Sequence, residues 1–353
     1  MSTPIFTGKW GSCHIQGIAV DKKNGYIYYS FTTKLIKATL DGKIVGSVDG
    51  LVGHLGCIAF NENDGCVYGS LEYKNDIIGK GILESIGSSS SFCDAFYIVR
   101  FDTTKIDRMD IDAEKSGIMT AVYLKEVCYD FGGKGTDTNG NKVPHKYGCS
   151  GIDGVTFGPI PGKSEDDGMY LYVAYGIYSD TDRNDNDHQI LLCYDVSELN
   201  LYQKILDQKN MHTSGPEKPL HKYFVYTGNT VYGVQNLEYD RFTKSFFMAV
   251  YKGKKTEFPN FSLFSVDAEC PSELKDAKGI NEKAEMLKLK DNGICDEKSG
   301  IYGWDFPYGS TGLYSFGDGN YLISQNMSTP EGQCSYIHHY RWDGIHPFEN
   351  TDL

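Results

Sequence analysis

No stretch of this sequence approaches the roughly 20 apolar residues of a membrane-spanning helix. The first residues, MSTPIFTGKWGSCHIQG, also lack the charged segment and apolar run of a secretory signal. Positive charge is scarce. Lys and Arg number 34 against 47 Asp and Glu, a net charge of −13, and no basic cluster offsets it. Such a field repels nucleic acid and anionic membrane, so neither is an expected partner. The ten cysteines include no CxxC pair, and several fall inside candidate strands (Cys66, Cys193). They suit small core thiols in a reducing compartment, and a soluble cytoplasmic protein is expected. No P-loop, dinucleotide-binding glycine fingerprint, G-x-S-x-G or H-E-x-x-H is present. Walker-type nucleotide hydrolysis, Rossmann chemistry and serine or zincin hydrolysis are therefore disfavoured.

What is present is a repeat. HIQGIAVD (14–21), HLGCIAFN (54–61), GIDGVTFG (151–158), GVQNLEYD (233–240) and GSTGLYSF (309–316) align without a gap. The fifth column is aliphatic throughout: Ile18, Ile58, Val155, Leu237 and Leu313. Two places on stand Val20, Phe60, Phe157 and Tyr239, and the fifth copy carries Phe316 one residue later. A period of two is strand chemistry. Each copy leads through a turn into a second strand: KKNGYIYYS, ENDGCVYGS, EDDGMYLYVA, RFTKSFFMA and GDGNYLISQ. Four of those five turns carry the glycine that a tight hairpin favours. A third strand then ends on aspartate every time, at Asp41, Asp102, Asp195, Asp267 and Asp343. Recurrence in every unit argues for turn-forming side-chain bonds rather than catalysis. Fourth strands are readable over 43–48, 119–124, 223–228 and 286–290. The fifth unit runs out of chain, so PIFTGKW (4–10) is the candidate to complete it.

Five such units predict an all-β chain: a five-bladed β-propeller of four-stranded blades, closed by the N-terminal strand and forming a single domain over 1–353. Six blades is the alternative. The 26 tyrosines suit strands and blade-to-blade packing. The strand–NG–strand–LIKATLDGKIVGSVDGL pattern of blade one resembles the repeats of NHL and SMP-30/gluconolactonase-like propellers. The whole chain also resembles a group of bacterial propeller proteins without assigned function. These resemblances imply a fold. The metal-binding positions of gluconolactonase-type enzymes have no residue-by-residue match here.

The connections from second to third strand are long in four blades, at 72–94, 175–189, 251–261 and 326–335. All are read as loops on the face where the innermost strands begin, including a serine run at 88–91. Segment 125–149 is also read as loop, 196–222 as holding a short helix, and 267–300 as solvated surface. The aligned strand entries deliver His14, Gln16, His54, Ser150, Asp153, Gln235, Asn236, Ser310 and Thr311 to that mouth. The second strands bring Glu72, Lys74, Tyr175, Tyr251 and Lys252. Here His14, His54, Asp153 and Glu72 are the catalytic candidates. Gln16, Tyr175, Gln235, Asn236, Tyr251, Lys252, Ser310 and Thr311 are the substrate-binding ones. His14 and His54 could ligate a divalent metal ion, the one cofactor the pattern suggests. They could instead supply a general base for a sugar or other small polar ligand. The plainer account is a channel mouth satisfied by water.

The expected function is therefore action on a carbohydrate or small polar metabolite at the channel mouth, by a lyase, lactonase or glycoside hydrolase. A non-catalytic glycan binder is the alternative, and a protein-interaction scaffold stands third. Elsewhere, 180–187 imitates the start of a calcium loop but lacks its glycine and closing glutamate, so it reads as a solvated polar loop. His338 and His339 are strand neighbours that should face opposite sides and not share a ligand.

Overall fold

In the computed structural model, described for residues 3–11, 13–88 and 93–352, five sheets stand around one axis. The serine run falls largely at 89–92, outside the described residues. The innermost strands are Gly17–Asp21, His54–Asn61, Cys149–Gly158, Val231–Asp240 and Leu313–Ser315. Each packs on the next, and the last returns to the first. The ring is closed by both chain ends. Ile5–Phe6 pairs with Gly332–Trp342, and Phe348–Asn350 pairs further along that same strand. The terminal strand thus completes the fifth blade as expected.

The predicted aromatic packing recurs between blades. Tyr28 stacks on Phe60 with ring centroids 6.0 Å apart, Tyr68 meets Phe157 edge-on at 5.3 Å, and Tyr172 meets Phe246 at 4.7 Å. Each such pair adds about 0.5–1.5 kcal/mol beyond the area it buries. The strand-ending aspartates turn the chain, as their recurrence implied. Asp102, Asp195, Asp267 and Asp343 accept the backbone N–H groups of Thr104, Ser197, Glu269 and His346 at 2.7–3.2 Å.

The blades are less regular than the repeat suggests. Ile111–Asp112 adds a parallel fifth strand to blade one. Blade three gains Lys283–Leu287 and Glu273–Asp276, so 267–300 is not simply solvated surface. The expected fourth strand of blade four, 286–290, is divided. Its first half belongs to blade three, while Lys288 and Lys290 bond to Asp267 and Ser265 of blade four. The 326–335 insertion is not a loop either, because Asn320–Thr329 and Gly332–Trp342 run on as one long hairpin. Segment 125–149 folds into the helix Lys125–Gly132 and a small hairpin. Within 72–94 lies the helix Ile77–Ser85, capped by Asp76, whose carboxylate accepts from Ile78 and Gly79 at 3.0 and 2.9 Å. That cap holds Ile78 at the channel mouth. The expected helix in 196–222 is short, Val196–Asn200.

Candidate functional site

Where the innermost strands begin, a cavity of about 170 Å³ opens on the axis. His14, Gln16, His54, Glu72, Asp153, Gln235 and Tyr251 all line it, together with Lys74 and Ser150. Strand entries far apart in the chain therefore meet in one cup. Two glycines make room for its carboxylates. A Cβ at Gly56 would lie 2.2 Å from Asp153 Oδ1. One at Gly151, where φ is +121°, would lie 2.0 Å from Glu72 Oε2. The glycine in these entries is the space that an acid of the adjacent blade occupies.

Glu72 is the hub. Its Oε1 lies 2.6 Å from Lys74 Nζ and 3.5 Å from His54 Nδ1. Its Oε2 accepts the Ile152 N–H at 3.1 Å. Lys74 is only 8% exposed, and it also donates to the Ser150 carbonyl at 3.0 Å. Burial works against charge on Glu72, yet Lys74 and His54 hold its carboxyl below the ordinary value. Asp153, among the described residues, makes no ion pair with a lysine and feels Lys74 only at longer range. It accepts the Cys57 N–H at 3.0 Å, and burial pushes its carboxyl up to about 7 against the pull of His54. Burial likewise disfavours the charged His54 ring, but Glu72 and Asp153 outweigh it and raise the imidazole. Burial, with His54 nearby, lowers His14. The Nδ1 of His14 sits 2.7 Å from the Ile15 carbonyl and donates to it, which leaves Nε2 as an acceptor. One cavity thus holds two carboxyl groups with their proton affinities driven apart, the pattern of an acid–base pair.

Five expected residues lie outside this cup's lining by side-chain direction or engagement. Tyr175 points into blade three, its hydroxyl donating to Asp130 at 2.8 Å, while the next residue, Gly176, faces the cavity. Lys252 is exposed and pairs with Asp305 at 2.6 Å. Thr311 bonds Ser324 at 2.7 Å. The Ser310 carbonyl accepts from Asn236 at 2.9 Å. Asn236 is buried on the axis itself, where Nδ2 also donates to the Gln16 carbonyl at 2.8 Å and Oδ1 accepts from Cys57 at 3.5 Å. It ties blades together beneath the cup instead of facing a ligand. Sequence reasoning missed Tyr232, Ile78 and Ile152. Tyr232, directly before the fourth repeat and at φ +64°, was the most visible of these.

A divalent ion does not fit this donor set. The Lys74 ammonium already sits against Glu72 and neutralises the carboxylate such an ion would need. Among the described residues no three His, Cys, Asp or Glu side chains are grouped to share a metal.

Two expectations elsewhere are corrected. The 180–187 loop is solvated only in part: Asp180, Thr181, Asp182 and Asn184 are exposed, while the other four residues are buried. Arg183 and Asp185 pair at 2.6 Å, and Lys255, 3% exposed, reaches in to Asp187 at 2.5 Å and Asn186 at 3.2 Å. A lysine thus stands in a loop that resembled a cation site. His338 and His339 do share a partner: their Nδ1 atoms lie 2.8 and 3.0 Å from the two oxygens of Asp352 at the strand edge.

Fold and cup together define a five-bladed propeller with an open, charge-lined axial pocket. The chain is similar to a GH43 β-1,3-galactosidase solved with galactodeoxynojirimycin, at 12% identity and TM-score 0.46 over 99% of both chains. It is also similar to the Dos1 propeller (10% identity, TM-score 0.36, 97% of this chain and 71% of that one). A third similarity is to the PQQ domain of pyranose dehydrogenase from Coprinopsis cinerea (13%, 0.36, 91% and 81%). At these values none bears on function. No family model and no curated protein matches the chain. Among the described residues no helix is long and apolar enough to cross a membrane.

Proposed function

We propose that the axial cup binds a small hydroxylated molecule of the sugar class and acts on it by proton transfer. The observation that carries this is the pair of carboxyl groups in one cavity, Glu72 held ionised and Asp153 poised near neutrality. In this reading Asp153 gives a proton to a departing oxygen or takes one from a hydroxyl. Glu72 is the fixed negative charge, and the raised His54 steadies it. Gln16 and Gln235 offer hydrogen bonds, and Tyr232 and Tyr251 give the wall on which a sugar ring packs. Glycoside hydrolysis uses such a pair of carboxyl groups, and lactone opening or elimination would call on the same proton transfer. The likeness of blade one to SMP-30/gluconolactonase-like repeats places lactones and sugar acids beside glycosides on the test panel. Buried free thiols such as Cys57, Cys149 and Cys193 agree with a cytoplasmic setting.

The test is turnover and binding across that panel for the wild type, Asp153→Asn and His54→Ala. Loss of turnover with ligand binding retained in Asp153→Asn supports the reading. Binding without turnover in the wild type moves the protein to the non-catalytic glycan binders. Neither binding nor turnover ends both accounts.

A further inference from the structure

At the opposite end of the axis the same five innermost strands enclose a second cavity, of about 130 Å³. Phe60, Phe157, Tyr314 and Phe316 form much of its wall, each half-buried. Their positions are fixed by neighbours. Phe60 stacks on Tyr28, Phe157 meets Tyr68, and Tyr314 lies edge-on to Phe316 at 5.2 Å. Two carboxylates reach this cavity: Glu62, paired with Lys22 at the rim, and Glu238, which projects among the aromatic rings. Its Oε1 accepts the Ser315 N–H at 2.8 Å and its Oε2 the Thr156 hydroxyl at 3.3 Å. Both donors are neutral. No ion pair among the described residues involves Glu238. The nearby cations are engaged at the rim, Lys22 with Glu62 at 3.6 Å and Arg241 with Glu165 at 3.0 Å. Asp240, two residues on, is saturated by Ser315, Tyr321 and the turn it caps, so it adds negative charge without holding a cation.

We propose that this second cavity binds a small alkylammonium ion, its N–H groups donating to Glu238 and its carbons resting on the aromatic faces. A carboxylate supplies charge-assisted hydrogen bonds, and desolvated aromatic faces add cation–π attraction. Burial, with Asp240 adding to it, raises the Glu238 carboxyl to about 8. The other titratable or charged groups nearby are Asp21 and Lys22 from blade one, Cys57 and Glu62 from blade two, Tyr239 and Arg241 from blade four and Tyr314 and Tyr321 from blade five. Below about pH 8 the incoming cation must displace a proton from Glu238. Affinity therefore falls by up to about tenfold for each pH unit below that value, and is flat above it.

The test is calorimetric titration of the whole chain with n-propylammonium, and with 1-propanol as its neutral counterpart, at pH 9 and pH 6. Propylammonium should bind at pH 9 and about tenfold or more weaker at pH 6, while 1-propanol should not bind. Glu238→Gln keeps the shape and an acceptor for Ser315, and should weaken propylammonium binding by about tenfold or more at pH 9. Phe157→Leu leaves the carboxylate in place and should weaken it by a few-fold, so a poorly folding glutamine variant does not leave the matter open. Absence of binding to folded wild type at pH 9, equal binding to folded Glu238→Gln, or 1-propanol binding as tightly would each overturn the proposal.

Discussion

The two ends of the axis are built by the same five strands and solve the problem of a buried acid differently. In the cup, Lys74 enters from the long connection after blade two's second strand and meets Glu72 at 2.6 Å. At the far end four of the five connections are tight hairpins, such as the turn between Asp21 and Tyr26 or between Asn61 and Cys66, and these are too short to fold back over the cavity. The fifth, 159–169 of blade three, is long and brings Met169 to the cavity wall, but the charge it carries to the rim is an acid, Glu165, which pairs with Arg241 at 3.0 Å. The cations of this face stay on the rim, and Glu238 keeps only neutral donors. The buried cation thus comes from a long connection that carries a lysine, and the far face has none directed at Glu238, although the strands themselves are near-equivalent. Lys255 follows the same rule as Lys74, reaching from the long connection of blade four into the acidic loop of blade three.

The sharpest way to break this comparison is to remove the cup's lysine. Lys74→Met should leave Glu72 buried without its cation and cost about 3–5 kcal/mol of unfolding free energy, measured by denaturant titration. The double variant Lys74→Met/Glu72→Gln should regain much of that loss, because the stranded charge is gone. A cost below about 1 kcal/mol for the single variant would mean that the pair is compensated from elsewhere. Next in size is Gly151→Ala. Its Cβ meets Glu72 Oε2 at 2.0 Å and its φ is +121°, so about 2–3 kcal/mol of destabilisation is expected, with displacement of Glu72. An unchanged melting profile would show that the cup yields more easily than its packing implies.

Protonation sharpens the comparison further. The Asp153 carboxyl is raised in the folded state to about 7 from an ordinary value near 4, so the fold binds its proton more tightly than the unfolded chain does. Its contribution is largest at low pH and is lost as pH rises through that window. Asp153→Asn should remove a downward slope of about 1 kcal/mol per pH unit between roughly pH 4 and 7. Glu238→Gln should remove a slope of the same sign that continues to about pH 8. Stability measured across pH 4–9 for both variants checks this. A slope that survives in Asp153→Asn would assign the titration to another group.

The blades were legible because period-two columns and turn glycines are local signals, and aligning the copies placed His14, His54, Asp153 and Gln235 at one mouth. What was not legible depended on partners distant in sequence or on a register of one residue. Tyr175 and Gly176 differ by a single step, which in a strand exchanges one face for the other. Lys255 makes a buried network of a loop whose composition alone suggested solvent. Glu238 sits in a column otherwise occupied by Ala19, Ala59, Thr156 and Tyr314. As a lone acid in a small or hydroxylated column it was a signal, but one hidden inside a strand that ended like the others.

The smallest effect expected is at Lys252, which the aligned strand ends placed at the mouth and the fold places on the surface. Its ammonium is exposed and pairs with an exposed Asp305 at 2.6 Å. Solvent screens such a pair, and holding two long side chains together costs entropy, so Lys252→Ala should change stability by less than about 0.5 kcal/mol. It should also leave ligand binding in the cup unaltered, since Lys252 does not line the cavity. Lys74, by contrast, is fixed inside it by the Ser150 carbonyl and Glu72. If Lys252→Ala weakened an anionic ligand several-fold, the blade-four connection would have to swing over the mouth on binding, and the charge that meets the ligand would come from the connection and not from the buried pair.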